Sequence, residues 1–177
     1  RKKEAQRLPL SLSALQVLAG KRYGYTPQQV LDTAQELYER KLTTYPRSDC
    51  EYLPLNQRKD SQQIIANIQH IPGKLAEWAD RADTKIKSRA WNDSKITAHH
   101  AIIPTTVSCP FAKLSTMQQH IYGLVAQAYL AQFYPVHEYD QTRILIEAAD
   151  ETFIAHGKTV LVMGWKELYQ SDKKKTE

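Results

Sequence analysis

Residues 42–49, LTTYPRSD, place a tyrosine and an arginine two positions apart with a proline between them. Proline disfavours the α region for the residue before it, so Tyr45 is expected in extended backbone. Side chains two apart then point the same way, and Tyr45 and Arg47 should share a face. A phenol with a pKa of about 10 is a poor nucleophile near neutral pH, and it needs a group that favours phenolate or takes the proton during attack. A guanidinium alongside favours the phenolate. Its planar fork also fits the two non-bridging oxygens of a phosphodiester, where charge builds as phosphorus becomes five-coordinate. From the residues alone, two readings stand: a seat for phosphate chemistry, or a turn with a packed ring and an exposed cation.

A second candidate is residues 98–105, AHHAIIPT, with adjacent His99 and His100. Neighbours in extended backbone point to opposite sides, so one metal ion cannot take both without a bend, and neither Cys50 nor Cys109 stands at a zinc-site spacing. No metal site is expected. One imidazole could sit on a phosphate oxygen or a leaving sugar oxygen, changing charge near neutral pH; alternatively, one His is satisfied in the core and the other lies at the surface. A Cys-His hydrolase is set aside because nothing around either cysteine matches a nucleophile signature.

These segments must be positioned by a chain of 177 residues, enough for one domain and a small appendage. Lys+Arg 24 against Asp+Glu 19 gives a net charge of +5, which tilts toward a polyanionic partner, and 42% hydrophobic residues suffice for a core. Two cysteines and no run of about 18 apolar residues point to a soluble, reducing, cytoplasmic setting without a membrane. The start RKKEAQRLPL and the end SDKKKTE suggest a piece of a longer polypeptide, with a disordered basic tail over 170–177.

The fold expected is mainly α. Apolar spacing behind Ser11 predicts a helix over about 12–22. Thr26, Pro27 and Gln29 cap a second ending near Arg40, with Val30, Leu31, Ala34, Leu37 and Tyr38 as its stripe. The two form a helix-turn-helix-like unit, read here as core packing because no row of base-reading side chains is present. A third helix is expected over 56–70, a shorter fourth around Leu75–Trp78–Ala79, and a capped fifth from Ser115 with Gln118 to Phe133. Between 82 and 106, Lys85, Lys87, Arg89 and Lys95 gather around Trp91. Such a loop is either solvated with its Trp packed back, or tracks a single nucleic-acid strand whose bases stack on the ring. After Pro135, strands over 142–147, 152–155 and 159–163 are expected to form a small, incomplete antiparallel meander, the last pair turning at His156, Gly157 and Lys158.

The segment KLTTYPRSDCEYLP, residues 41–54, resembles the active-site tyrosine motif of type IA DNA topoisomerases, and ITAHHAIIPT, residues 96–105, resembles their downstream histidine motif, in the same order and at a fitting separation. PLSLSALQVLAGKRYGYTPQQVLDTAQELYE, residues 9–39, looks like the helical approach to that tyrosine, so the resemblance spans roughly 9–165. His100 and Ile103 stand where the topoisomerase I branch usually has Glu and Arg, which is similar to the topoisomerase III branch.

The resemblance implies that Tyr45 attacks a single-stranded DNA phosphodiester and holds the 5′ phosphate, that Arg47 stabilises the phosphate and that His99 positions it. His100 is a neighbour in the DNA-binding set, with Lys85, Lys87, Arg89, Trp91 and Lys95. It also implies a helical domain over 1–135 and returning arch strands over 136–169. A Toprim domain of the same polypeptide would carry the acidic cluster that binds Mg2+, and this chain alone, which holds no cofactor, is expected to be inactive. No ATP is implied, since no GxxxxGK[ST] loop is present and a phosphotyrosine keeps the energy of the broken linkage. The rival reading is a non-catalytic single-strand-binding module built on the basic loop.

Overall fold

A computed structural model describes residues 1–170; from 171 onward the expected basic tail lies outside the described residues. The chain runs β1 (Lys2–Glu4), α1 (Leu12–Tyr23), α2 (Pro27–Glu39), α3 (Ser61–Gln69), α4 (Lys74–Asp80), α5 (Thr116–Leu130), β2 (His137–Ala148) and β3 (Glu151–Val162). The fold is mainly α with a small antiparallel sheet, as the sequence pattern predicts.

Local chemistry sets the helix ends. The Ser11 hydroxyl accepts from the Ala14 N–H, and Gly24 at φ 72° closes α1 with its N–H on the Gly20 carbonyl. Both halves of a capping box are formed in α2 by Thr26 and Gln29, and in α5 by Ser115 and Gln118. These satisfy backbone donors that have no partner inside the helix. α5 is the central helix: Ile121, Tyr122 and every residue from Leu124 to Leu130 are buried. Against it pack Leu15 and Ala19 of α1 and Val30, Ala34 and Leu37 of α2. The α1–α2 pair therefore spends most of its apolar faces on the core, with Tyr38 of the expected stripe left exposed. Each large side chain removed from water there contributes about 1.5–3 kcal/mol.

The expected third helix is divided. Residues Leu55–Asp60 form a 3-10 helix and the α-helix begins only at Ser61. Pro54 starts the turn and Asp60 makes no side-chain cap, so the chain tightens to a 3-10 path, which is frequent at helix N-termini.

The β segment differs from the expected meander. β2 and β3 form one long hairpin, paired from Glu138 with Val162 to Ala148 with Glu151. Its turn is Ala149–Asp150, whose φ values of 52° and 63° match a type I′ geometry. Gly157, expected in a turn, pairs with Thr142 inside the ladder. The short strand β1 lies antiparallel on β2, Lys2 opposite Tyr139. Beyond this root both hairpin faces are exposed, including Ile144, Leu145, Ile146, Phe153 and Ile154.

The root is fastened from several sides. The Lys166 ammonium contacts the Glu4 carboxylate and, with Lys158 beyond it, holds that carboxyl below the usual range. The Trp165 indole N–H donates to the Glu4 carbonyl at 3.1 Å, and the Arg7 guanidinium stands 4.8 Å from the Tyr169 ring centre. Gly164 at φ 57° leaves no room for a side chain: a Cβ would come 2.3 Å from the Pro135 carbonyl oxygen.

Candidate active site

The tyrosine run begins at the end of α2. Lys41 adopts φ 61°, and its N–H donates to the Tyr38 carbonyl at 2.8 Å while the Leu42 N–H donates to that of Leu37 at 3.0 Å. This is a Schellman turn with Lys in the left-handed position where Gly is usual. It turns the chain out of the helix and into the extended residues that follow.

Those residues are stitched to the histidine segment. The Thr44 N–H donates to the Ile103 carbonyl, the Ile103 N–H returns to the Thr44 hydroxyl, and the Thr105 N–H reaches the Leu42 carbonyl, all at 3.0–3.1 Å. The Ser48 hydroxyl donates to the His100 carbonyl at 2.7 Å, while the Ser48 carbonyl accepts from the Leu12 N–H at the start of α1 at 2.8 Å. Exposure then alternates: Tyr45, Arg47 and Asp49 are exposed, Pro46 and Ser48 buried. That is the period-two pattern of an extended run.

The Tyr45 ring, 37% exposed, lies 4.7 Å from the His99 ring at 33° and 5.6 Å from the Tyr38 ring at 82°. Among the described residues its phenol oxygen has no hydrogen-bond partner. Beside it opens a cleft of about 580 Å³ into which Arg47, Asp49 and His99 face Ser13 and Gln16 of α1. Arg47 and His99, whose imidazole has no hydrogen bond among the described residues, thus border one accessible groove, and the Tyr45 ring lies against that imidazole. His100 differs. Its Nδ1 lies 2.7 Å from the Ala101 carbonyl and must carry the proton, which leaves Nε2 to accept from the Gln57 amide at 3.2 Å. Both nitrogens are committed, and His100 braces the loop.

The basic loop divides as well. Lys85, Lys87, Arg89 and Lys95 are exposed, but Trp91 is 4% exposed and packs near Phe133 and the Arg58 guanidinium. Of the two readings of this loop, the packed-back Trp91 is the one the structure shows, and a ring so buried offers no face for the base stacking that the other reading needed: neighbouring Ala90 and Asn92 bond the Leu53 backbone, which draws the indole inward. Residues 84 and 86 are held by Arg58, and Arg89 reaches the Gln6 carbonyl; the Lys95 carbonyl lies near the Cys50 thiol. Two neighbours of these segments, Gln57 and Arg58, were not singled out in the sequence, and Tyr38, expected in the apolar stripe of α2, is instead 40% exposed. Tyr38 follows Leu37 by about 100° around the helix, so it sits at the margin of the stripe, a signal that could have placed it outside the core. Arg58 and Gln57 carried no comparable signal.

Burial pushes the Cys109 thiol up to about 11, which keeps it protonated and poor as a nucleophile. Among the described residues no cluster of three or more His, Cys, Asp or Glu side chains could hold a metal ion. No described helix is long and apolar enough to cross a membrane.

Residues 1–177 match the family model described as DNA topoisomerase, and the chain belongs to that family. Within it, the chain is 46% identical over 167 residues to DNA topoisomerase 3 of Vibrio cholerae, covering 94% of this chain and 26% of that protein. It is 44% identical over 169 residues to DNA topoisomerase 3 of Pasteurella multocida, covering 95% and 26%. The chain thus spans about a quarter of the length of these relatives. Its fold is similar to full-length topoisomerase I from Thermotoga maritima, with a TM-score of 0.68 at 20% identity over 99% of this chain and 29% of that one.

Proposed function

We propose that the chain is the tyrosine-bearing part of a topoisomerase 3-like enzyme that cuts and rejoins one DNA strand. The observation that carries this reading is the exposed Tyr45 ring packed on His99 at 4.7 Å, beside a groove that Arg47 also lines. The phenol oxygen of Tyr45 forms the new bond to phosphorus and the bond from phosphorus to the sugar 3′ oxygen breaks. The phenol loses its proton and the departing 3′ oxygen gains one. One phosphate ester replaces another, so religation runs the same step backward. Arg47 offers its fork to the non-bridging oxygens as their charge grows, and His99 fixes the phosphate against the phenol. The magnesium and acidic groups expected of a Toprim domain lie outside this chain in this reading, and no step is assigned to them. In this reading the parent protein acts on DNA in the cytoplasm.

By the same reading, residues 1–135 carry the nucleophile and 136–169 belong to a larger arch whose other strands cover the exposed hairpin. The binding-module alternative is weakened by the buried Trp91, which leaves its loop with cations but no stacking ring. Tyr45→Phe in the full-length enzyme deletes only the phenol oxygen, and it is expected to abolish the covalent DNA adduct while single-strand binding persists. An adduct that survives in that variant would remove Tyr45 from the chemistry. The chain alone is expected to bind single strands weakly and to relax no supercoils, which an agarose-gel relaxation assay checks.

A further inference from the structure

The Tyr45 ring has two walls. His99 is one; the other is Tyr38, whose plane stands 82° from that of Tyr45 at a centroid distance of 5.6 Å, an edge-to-face pair. Tyr38 is 40% exposed and neither phenol makes a hydrogen bond within the described residues, so ring contact alone joins them. A tyrosine at the end of an amphipathic helix could fold onto the core or extend into water. Tyr38 does neither. Its backbone is held at the end of α2, where its carbonyl accepts the Lys41 N–H in the turn that starts the extended run.

A surface tyrosine on extended backbone has several staggered χ1 wells, and only some aim the phenol oxygen toward the groove that Arg47 and His99 border. We infer that Tyr38 is a positioning residue: its ring, anchored at the end of α2, holds Tyr45 in a restricted orientation before DNA arrives. The inference rests on Tyr45 being the nucleophile. It predicts that Tyr38 acts through its ring and not its hydroxyl, and on the rate of strand cleavage and not on affinity.

The test uses the full-length enzyme and a single-stranded oligonucleotide, measuring the single-turnover rate of adduct formation and the Kd separately. For Tyr38→Leu, the cleavage rate is expected to fall roughly threefold to tenfold, the scale of one lost aromatic pair, with Kd unchanged. Tyr38→Phe is expected to restore the full rate. The inference is overturned if Tyr38→Leu cleaves at the wild-type rate, or if it weakens DNA binding while the rate at saturation is preserved, which would make Tyr38 a base-stacking surface. It is equally overturned if Tyr38→Phe is as slow as Tyr38→Leu. Loss of the adduct in Tyr45→Phe together with an unaffected Tyr38→Leu would sink the positioning role alone; an adduct in Tyr45→Phe would sink the proposed chemistry itself.

Discussion

Trp91 and Tyr38 are both aromatic residues near charged loops, and they take opposite fates because of what their backbones bond. The Trp91 backbone is fixed on either side to Leu53, so the indole goes inward and the loop gains an anchor. Its indole nitrogen is buried without a hydrogen-bond partner among the described residues. Trp91→Ala should therefore leave a cavity and lower stability by about 3–5 kcal/mol, while Trp91→Phe, which keeps a ring and removes the orphaned N–H, should cost clearly less. Urea denaturation of the two variants checks this. If Trp91→Phe instead left stability intact and reduced single-strand affinity at low temperature, the indole would have to be a contact surface after all.

At the level of elements, the turn after α2 decides where the tyrosine stands. Lys41 holds a left-handed conformation that costs a side-chain-bearing residue about 1–2 kcal/mol, and its carbonyl accepts a hydrogen bond from the Thr105 hydroxyl. Lys41→Gly is expected to raise stability by about 1 kcal/mol, the relief of that conformation being partly offset by the greater freedom of glycine in the unfolded chain. The denaturation midpoint should rise with an unchanged m-value. A midpoint that falls would mean that the lysine side chain itself holds the turn. The capping boxes of α2 and α5 act in the same local way, which is why both were readable from Thr26–Gln29 and Ser115–Gln118.

Across the described residues, 2–7 close against 134–169 at the hairpin root. Gly164 sits at the joint where β3 turns back under Pro135. Gly164→Ala combines a left-handed conformation with backbone overlap and should cost roughly 2–5 kcal/mol. Hydrogen exchange is expected to show the loss concentrated in β1, the base of β2 and the contacts of Trp165, with α1, α2 and α5 protected as before. Uniform loss of protection would show that the root and the helical core unfold as one unit.

The sequence alone determined what is local: most of the helices, the caps of α1, α2 and α5, and the extended run on which Tyr45 and Arg47 share a face. Each depends on residues a few positions apart, and the physics of a cap or a proline is contained in that window. Hydrogen bonds between residues far apart in the sequence decided the rest. They brought His99 onto the Tyr45 ring, tied His100 into the loop, and buried Trp91. The hairpin turn fell at Ala149–Asp150 because pairing across β2 and β3 outweighed the preference of Gly157 for a turn. Periodicity states which face of an element is apolar, but not which distant backbone will meet it.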